Sequence, residues 1–205
     1  MKDEALADYV SRRDDPSILS PAASAQTINN NEKRPAMKTL TEQLSQYAAY
    51  HRDRRNILTH FFGIPLIVLA VAILLSRASI FGASPALIVS AVLCLYYLAL
   101  DRLLGLAMCV FMAATLAIAA PISSLPRAEW LGWGIGLFVV GWVIQFVGHV
   151  FEGRKPAFVD DLIGLAIGPL FVVAEFGFIL GLRHSLQAEI EARVGPVRDR
   201  RGAAA

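Results

Sequence analysis

The stretch WLGWGIGLFVVGWVIQFV (residues 130–147) decides the fold class, because no charged residue interrupts its 18 positions. A helix needs about 20 mostly apolar residues to cross the hydrocarbon core of a bilayer. The whole chain has the same character, since 56% of its 205 residues are hydrophobic and only 18% are charged. Soluble domains average about 45–50% apolar and about 25% charged residues. The sequence therefore predicts an integral membrane protein.

Four further apolar segments accompany this one. The five segments lie at about residues 57–75, 85–100, 103–122, 130–147 and 162–182. Short connections make neighbouring segments antiparallel, which predicts an all-α, polytopic membrane helical bundle of four to five spans. The second segment is short enough to be tilted or interfacial. The fifth contains Glu175, and the sequence leaves open whether it crosses the membrane, re-enters or lies parallel to the surface.

The residues before the first span form a separate pattern. Leu40, Leu44 and Tyr47 recur at helical spacing within residues 39–55, which predicts an amphipathic helix on the membrane surface or docked on the bundle. Residues 1–36 are short of large apolar side chains, so they are predicted to be disordered. The predicted organisation is a disordered N-terminal tail (1–36), a membrane-embedded domain (37–190) and a basic disordered tail (191–205).

Positive charge is distributed unequally between the two ends of the spans. The N-terminal side carries Arg52, Arg54, Arg55, Arg102, Arg154 and Lys155, whereas the short loops of the other side carry Arg77 and Arg127. Because cytoplasmic loops are enriched in Lys and Arg, the N-terminal side is predicted to face the cytoplasm. In a bacterium the chain would lie in the inner membrane. The net charge of +2 is too small to indicate nucleic-acid binding.

Three of the four histidines are predicted to meet at the N-terminal side of the bundle. His51 and His60 lie where the first span begins, and His149 lies where the fourth span ends. A single histidine at a helix end is usually an ordinary polar residue bonded to water or backbone, but three on one side form a candidate site. His184 follows the fifth segment, and it is excluded from this cluster if that segment crosses the membrane. Next to Arg183, it is predicted to be a cationic residue at the C-terminal end of a helix, where the helix dipole favours positive charge.

The spacing of these residues sets a structural condition. His149 and Glu152 are three positions apart, so they share one helix face. His51 and His60 are nine positions apart, which places them on opposite sides of a continuous helix at about 100° per residue. Both can reach one site only if the helix breaks between them. A bend near Arg55–Asn56, where the chain turns into the membrane, is the predicted position of that break.

The chemistry of this residue set leaves three functions open. Imidazoles and a carboxylate with open coordination positions suit non-haem ferrous iron, which must bind both a substrate and O₂. The same ligands bind zinc, whose bound water becomes a nucleophile, so a zinc-dependent membrane hydrolase is an alternative. A non-catalytic membrane protein or transporter needs no convergence of the histidines. In that case Glu152 pairs with Arg154 or Lys155, and Glu175 is a helix–helix contact rather than part of a site.

Three blocks of sequence carry a family resemblance. They are YHRDRRNILTHFFGIP (50–65), QFVGHVFEGRKPAF (145–158) and GPLFVVAEFGFILGLR (168–183). The pattern is Tyr-His, then Asn and His before Gly-x-Pro, then Gly-His-x-x-Glu-x-x-x-Pro-Ala. It resembles the Mpo1-like family, the family of the fungal 2-hydroxy fatty acid dioxygenase, over about residues 38–190.

The resemblance implies an activity as well as a fold. It implies an iron(II)-dependent dioxygenase of fatty acid α-oxidation, which uses O₂ to remove one carbon from a long-chain 2-hydroxy fatty acid. By the resemblance, His51, His60 and His149 are Fe²⁺ ligands, and Glu152 is a fourth ligand or orients one. Tyr50 and Asn56 would support the ligands or contact the substrate, and no role is implied for His184.

Basic residues near this site have two possible roles. The carboxylate of a membrane-embedded fatty acid would meet the iron at their level, and any of five residues could attract it: Arg52, Arg54, Arg55, Arg154 or Lys155. For most of them the favoured role is to anchor the protein to the headgroups of anionic membrane lipid.

Overall fold

The computed structural model describes residues 38–154, 156 and 163–199. These residues form seven α-helices, and no strand occurs within the described ranges. The helices are α1 (Leu40–Ala48), α2 (Arg54–Ser76), α3 (Pro85–Leu100), α4 (Arg102–Ser123), α5 (Arg127–Glu152), α6 (Gly164–Ile179) and α7 (His184–Val194). The predicted all-α fold is therefore confirmed. The tail expected at residues 1–36 lies outside the described residues.

Three helices are long and apolar enough to cross a membrane, namely α2, α4 and α5. A fourth span is obtained only if α6 and α7, which are bent by 116° relative to each other, count as one broken span. By length and composition alone the structure thus has three to four candidate spans, against the four to five expected. The difference arises at α3, whose 16 residues extend only about 24 Å at 1.5 Å per residue.

Helices α2 and α5 pack with their backbones in close approach. Glycines recur every seven residues on the α5 face that meets α2, at Gly134, Gly141 and Gly148. A Cβ atom at Gly141 would lie 2.7 Å from Ile67 Cγ1, and one at Gly148 would lie 2.5 Å from Asn56 Oδ1. Small residues allow membrane helices to approach this closely. The contact brings the first turns of α2 against the last turns of α5.

The N-terminal helix docks on the bundle. Thr39 and Glu42 form a capping box at the start of α1, and Leu44 is fully buried in the core that contains Leu170 and Ile190. The helix predicted over residues 39–55 is not continuous, because α1 ends at Ala48 and α2 begins at Arg54. The break required between His51 and His60 is therefore present. It lies before Arg54 rather than at Arg55–Asn56, because the Asp53 side chain caps α2 by accepting from the Arg55 amide.

The C-terminal part of the chain stays at the end of the bundle where α2 begins. Arg183, in the left-handed turn after α6, pairs with Asp101 at 2.7 Å, between α3 and α4. The backbone of Arg198 bonds to Arg52 and Arg54. The arrangement in which the fifth segment crosses and carries His184 to the opposite side is therefore wrong.

Two further expectations about the C-terminal region need correction. His184 opens α7 instead of ending a helix. A disordered tail from residue 191 is wrong for residues 191–199, because α7 continues to Val194 and the Arg198 side chain pairs with the buried Glu152 carboxylate. A buried carboxylate requires such a partner. Residues 200–205 lie outside the described residues.

Candidate metal centre

His51 lies in the break between α1 and α2 and is completely buried. Its ring stacks on Tyr47, with 4.2 Å between ring centroids and 5° between planes. Its Nδ1 lies 2.7 Å from the Tyr47 carbonyl oxygen. A carbonyl oxygen only accepts, so Nδ1 carries the proton and Nε2 offers a lone pair. Burial lowers the pKa of His51 well below its ordinary value, which keeps the imidazole neutral and able to bind a metal.

His60 lies in the second turn of α2 and is oriented in the same way. Its Nδ1 lies 2.8 Å from the carbonyl oxygen of Asn56, one turn earlier. Nδ1–H again donates to a carbonyl, which leaves Nε2 as the nitrogen available to a metal. Metal-binding histidines commonly donate their second ring N–H to a carbonyl or carboxylate, which fixes the tautomer and the ring orientation.

His149 lies in the last turn of α5, opposite these two residues. The ring centroids of His51 and His60 are 4.4 Å apart, and that of His149 is 5.1 Å from the first and 5.2 Å from the second. One ligand nitrogen from each histidine lies within 4.8 Å of the others. Among the described residues, His51 Nε2 and His149 Nδ1 are buried without a hydrogen-bond partner. Unpaired buried imidazole nitrogens at this separation fit a metal bound at about 2.0–2.1 Å from each, after small side-chain adjustments.

Glu152 is close to this group but is directed away from it. Its Oε2 accepts from the backbone amides of Arg52 at 3.0 Å and Asp53 at 2.7 Å, and from Asn56 Nδ2 at 3.2 Å. Its Oε1 pairs with the Arg198 guanidinium. The metal-binding group formed by the described residues contains the three histidines and not Glu152. The carboxylate instead joins the His51 segment to the end of α5.

A family model described as "2-hydroxy-palmitic acid dioxygenase Mpo1-like" matches residues 37–179. The chain belongs to the Mpo1-like family. The 2-hydroxy-palmitic acid dioxygenase MPO1 of Saccharomyces cerevisiae is 33% identical over 159 residues, which cover 74% of this chain and 87% of the yeast protein. No solved structure matches the chain significantly.

The Mpo1-like match contains all three clustered histidines and ends before His184 and Arg198. The predicted family is thereby confirmed. His184 is outside the histidine cluster, as expected, but for a different reason: it lies at the same end of the bundle and begins α7. The contact between Arg198 and Glu152 comes from residues beyond the matched region.

The other residues predicted around the site of this Mpo1-like protein have structural contacts. Asn56 is fully buried, and its Nδ2 lies 3.4 Å from the Tyr50 carbonyl oxygen, so Tyr50 contributes through its backbone. Arg55 pairs with Asp53 at 2.9 Å. Arg154 donates to the Ala49 carbonyl oxygen at 2.9 Å. Lys155 lies outside the described residues.

Glu175 pairs with Arg52, one of the basic residues on the N-terminal side, and the sequence did not predict this pairing. The Arg52 guanidinium lies 3.7 Å from Glu175 Oε1, and the Arg52 side chain is only 7% exposed. Arg52 also donates to the carbonyl oxygens of Ala48 and Gly195. The pair links the break before α2 to α6, so the partner of Glu175 is a residue between two helices rather than a residue of a neighbouring helix.

Gln145 is a buried polar residue beside the histidine cluster that was not predicted from the sequence. It lies one turn before His149 and lines a cavity of about 70 Å³ together with His60 and His149. It is 4% exposed, and in the described part of the chain neither its Oε1 nor its Nε2 has a hydrogen-bond partner. A glutamine inside an apolar span is costly unless it binds something, and this was the available signal.

Proposed function

We propose that this protein is an iron(II)-dependent dioxygenase that uses O₂ to remove one carbon from long-chain 2-hydroxy fatty acids. The observation that carries the proposal is the convergence of three buried histidines, with ligand nitrogens within 4.8 Å of one another, in a chain of the Mpo1-like family. The name of the yeast relative, a 2-hydroxy-palmitic acid dioxygenase, supports the choice of substrate class.

The proposed ligands are Nε2 of His51, Nε2 of His60 and Nδ1 of His149. Three nitrogen ligands leave coordination positions open, as a ferrous site requires when it must bind both a substrate and O₂. Iron, when bound there, would supply the redox chemistry that allows O₂ to react with the 2-hydroxy acid. The protein's own part is to hold three neutral imidazoles in place and to exclude water from them by burial.

Glu152 is proposed to position the ligands instead of binding iron. Both of its oxygens are engaged, one by two backbone amides and Asn56 and the other by Arg198. The bonds to Arg52 and Asp53 fix the backbone directly after His51, while the carboxylate itself extends from the same helix turn as His149. The carboxylate therefore determines the distance between two of the proposed ligands.

Gln145 is proposed to bind the polar end of the substrate. Its amide offers two N–H donors and one carbonyl acceptor beside His60 and His149. The donors complement a carboxylate oxygen of a 2-hydroxy acid, and the acceptor complements its hydroxyl group. Since the amide is buried, these bonds would be made without competition from water, and a substrate lacking the 2-hydroxyl would leave the acceptor unsatisfied.

The overall reaction balances without a further co-substrate. A 2-hydroxy acid and O₂ together contain the atoms of the acid one carbon shorter, CO₂ and water. The bond between C1 and C2 breaks, C2 is oxidised to the new carboxyl carbon, C1 leaves as CO₂, and O₂ is reduced. An external reductant is not needed for this stoichiometry.

The site is further proposed to face the cytoplasm. The C-terminal residues Arg183 and Arg198 lie at the histidine end of the bundle, where they add to the positive charge already predicted there. The opposite loops carry Arg77 and Arg127. This asymmetry follows the positive-inside rule. A reporter fused to the C-terminus should be active only in the cytoplasm, and activity on the outer side would reverse the assignment.

The function is tested by incubating the full-length protein in lipid nanodiscs with 2-hydroxypalmitate, Fe²⁺ and O₂. We expect pentadecanoate and CO₂ in equal amounts, with none formed under anaerobic conditions, with Zn²⁺ in place of Fe²⁺, or by the His149→Ala variant. Lack of product from folded, iron-loaded protein would contradict the proposal. Hydrolysis of a lipid ester by the Zn²⁺-loaded protein, at a rate that does not depend on O₂, would favour the hydrolase alternative.

A further inference from the structure

A second, larger cavity lies between the helices of the bundle, next to the histidine site. Its volume is about 320 Å³, and it is lined by residues of α2, α3, α4, α5 and α6, some of which are also exposed on the outside of the bundle. Apolar side chains form nearly all of its wall; examples are Val68, Ala72 and Leu75 on α2 and Ala86 and Leu93 on α3. Empty apolar cavities are few and small in well-packed domains, so a cavity of this size and lining suggests an apolar ligand.

The large cavity adjoins the histidine site directly. The smaller cavity beside His60 and His149 shares wall residues with it, including Val68, Trp142 and Leu165. A molecule with its polar end at Gln145 would therefore meet the apolar cavity at its other end. The two cavities together match the two parts of a fatty acid. The smaller cavity offers polar groups to the carboxylate end, and the larger cavity offers apolar side chains to the acyl chain.

One face of α2 and one face of α5 each extend along both cavities. On α2, His60, Ile64, Val68 and Ala72 follow one another at intervals of four residues, and they line the two cavities in that order. On α5, His149 and Gln145 are followed on the same face by Trp142 and Phe138. The faces that present the proposed ligands thus continue as the walls of the large cavity.

The length of the α2 face matches a long acyl chain. His60 and Leu75 are separated by about 22 Å along the helix, at 1.5 Å per residue. An extended alkyl chain advances roughly 1.3 Å per carbon, given a bond of about 1.5 Å in a staggered zigzag. The distance therefore accommodates a chain of about 17 carbons if C1 lies at the level of the histidines.

We propose that the large cavity binds the acyl chain of the substrate and that its far end, formed by Leu75 and Ala86, determines the preferred chain length. The inference rests on the proposed function for the polar end of the substrate. Each methylene that enters the cavity should strengthen binding about fourfold, until the chain reaches the far end. Longer chains should gain nothing further.

The experiment measures binding without turnover. Full-length protein in nanodiscs, without added iron, is titrated with straight-chain acids from 2-hydroxyoctanoate to 2-hydroxyoctadecanoate, and each acid's displacement of a fluorescent fatty acid is recorded. For the unmodified protein we expect affinity to rise with chain length and then level off. Ala86→Phe, which fills the far end, should move that plateau to shorter acids, and Leu75→Ala, which enlarges it, should move the plateau to longer acids.

Ala91→Phe is the matched control, because Ala91 is exposed on the same helix as Ala86 and does not line the cavity. It should leave the plateau unchanged. Identical chain-length profiles for Leu75→Ala and the unmodified protein would overturn the inference, whether or not Ala86→Phe folds. Shifted plateaus in a protein that makes no product with Fe²⁺ and O₂ would leave the cavity assignment standing and refute the proposed function. Product formation by a protein whose variants show unshifted plateaus would support the proposed function and refute the cavity assignment.

Discussion

The Glu152 carboxylate accepts a hydrogen bond from the backbone amide of Asp53 at 2.7 Å, across 99 positions of the chain. Asp53 begins α2 as its cap and lies two residues after His51, whereas Glu152 ends α5 and lies one turn after His149. One side chain therefore joins the two segments that carry two of the proposed metal ligands. The carboxylate side chain has no solvent exposure, so the bond is made in a low-dielectric environment, where it is strong.

Replacement of Glu152 by Gln should weaken metal binding without removing it. The amide keeps an acceptor for the backbone N–H groups but turns a donor toward Arg198, so the His51 segment loses part of its support. Loss of such an outer support typically lowers metal affinity about 10–100-fold. Competition with a chelator measures the affinity. Glu189→Gln, on the exposed side of α7, should have no effect, and loss of all binding at saturating Fe²⁺ would identify Glu152 as a ligand.

Gly148→Ala should separate α2 from α5 and disrupt the site. The added methyl group would collide with Thr59 Oγ1 and lie 2.5 Å from Asn56 Oδ1, and small-to-large changes in such contacts typically cost about 1–3 kcal/mol. Gly136→Ala is the matched control on the same helix, since no described atom lies within 4 Å of a Cβ there. The temperature of thermal unfolding in detergent and the affinity for Fe²⁺ should fall for Gly148→Ala only. Equal behaviour of the two variants would contradict the close packing.

A chain that ends at Pro196 should be less stable and should bind metal more weakly than one that ends at Asp199. The shorter chain loses the backbone bonds of Arg198 to Arg52 and Arg54 and the ion pair with Glu152. A buried polar group that loses its partner typically costs about 1–3 kcal/mol. Unfolding curves and chelator competition on the two truncated chains provide the comparison. Indistinguishable results would mean that the C-terminal segment does not support the site.

Deletion of residues 1–36 should leave product formation unchanged. The family match begins at residue 37, and the first described contact to the bundle is made by α1. The measurement is the yield of the shortened acid from the deleted and the complete chain at equal protein concentration. Loss of activity in a folded, iron-loaded deletion variant would give the N-terminal residues a role that their composition does not indicate.

The sequence predicted the convergence of histidines because counting membrane segments requires only hydrophobicity and length. It also required a break between His51 and His60, since nine residues of continuous helix place them on opposite sides. The predicted position of the break was wrong because it depends on a long-range contact as well as on the local Asp53 cap. Glu152 fixes the backbone at Arg52 and Asp53, and no local pattern reveals a partner 99 positions away.

Other features were hidden for related reasons. The sequence could not decide the course of the fifth segment, because its apolar composition suits a crossing or a surface helix equally well; the pair between Arg183 and Asp101 decides it. Gln145 was overlooked because a single glutamine barely changes the hydropathy of a span. Its significance appears only when its position beside His60 and the lack of a partner among the described residues are seen together.

Anaerobic Fe²⁺ binding to the complete protein and to four single-histidine variants tests the central claim most directly. The account predicts a single ion per chain in the unmodified protein, loss of that ion in His51→Ala, His60→Ala and His149→Ala, and normal binding in His184→Ala. Circular dichroism of each variant identifies any loss caused by unfolding. Retention of the ion in a folded variant that lacks one of the three clustered histidines, or a loss in His184→Ala as large as in His149→Ala, would contradict it.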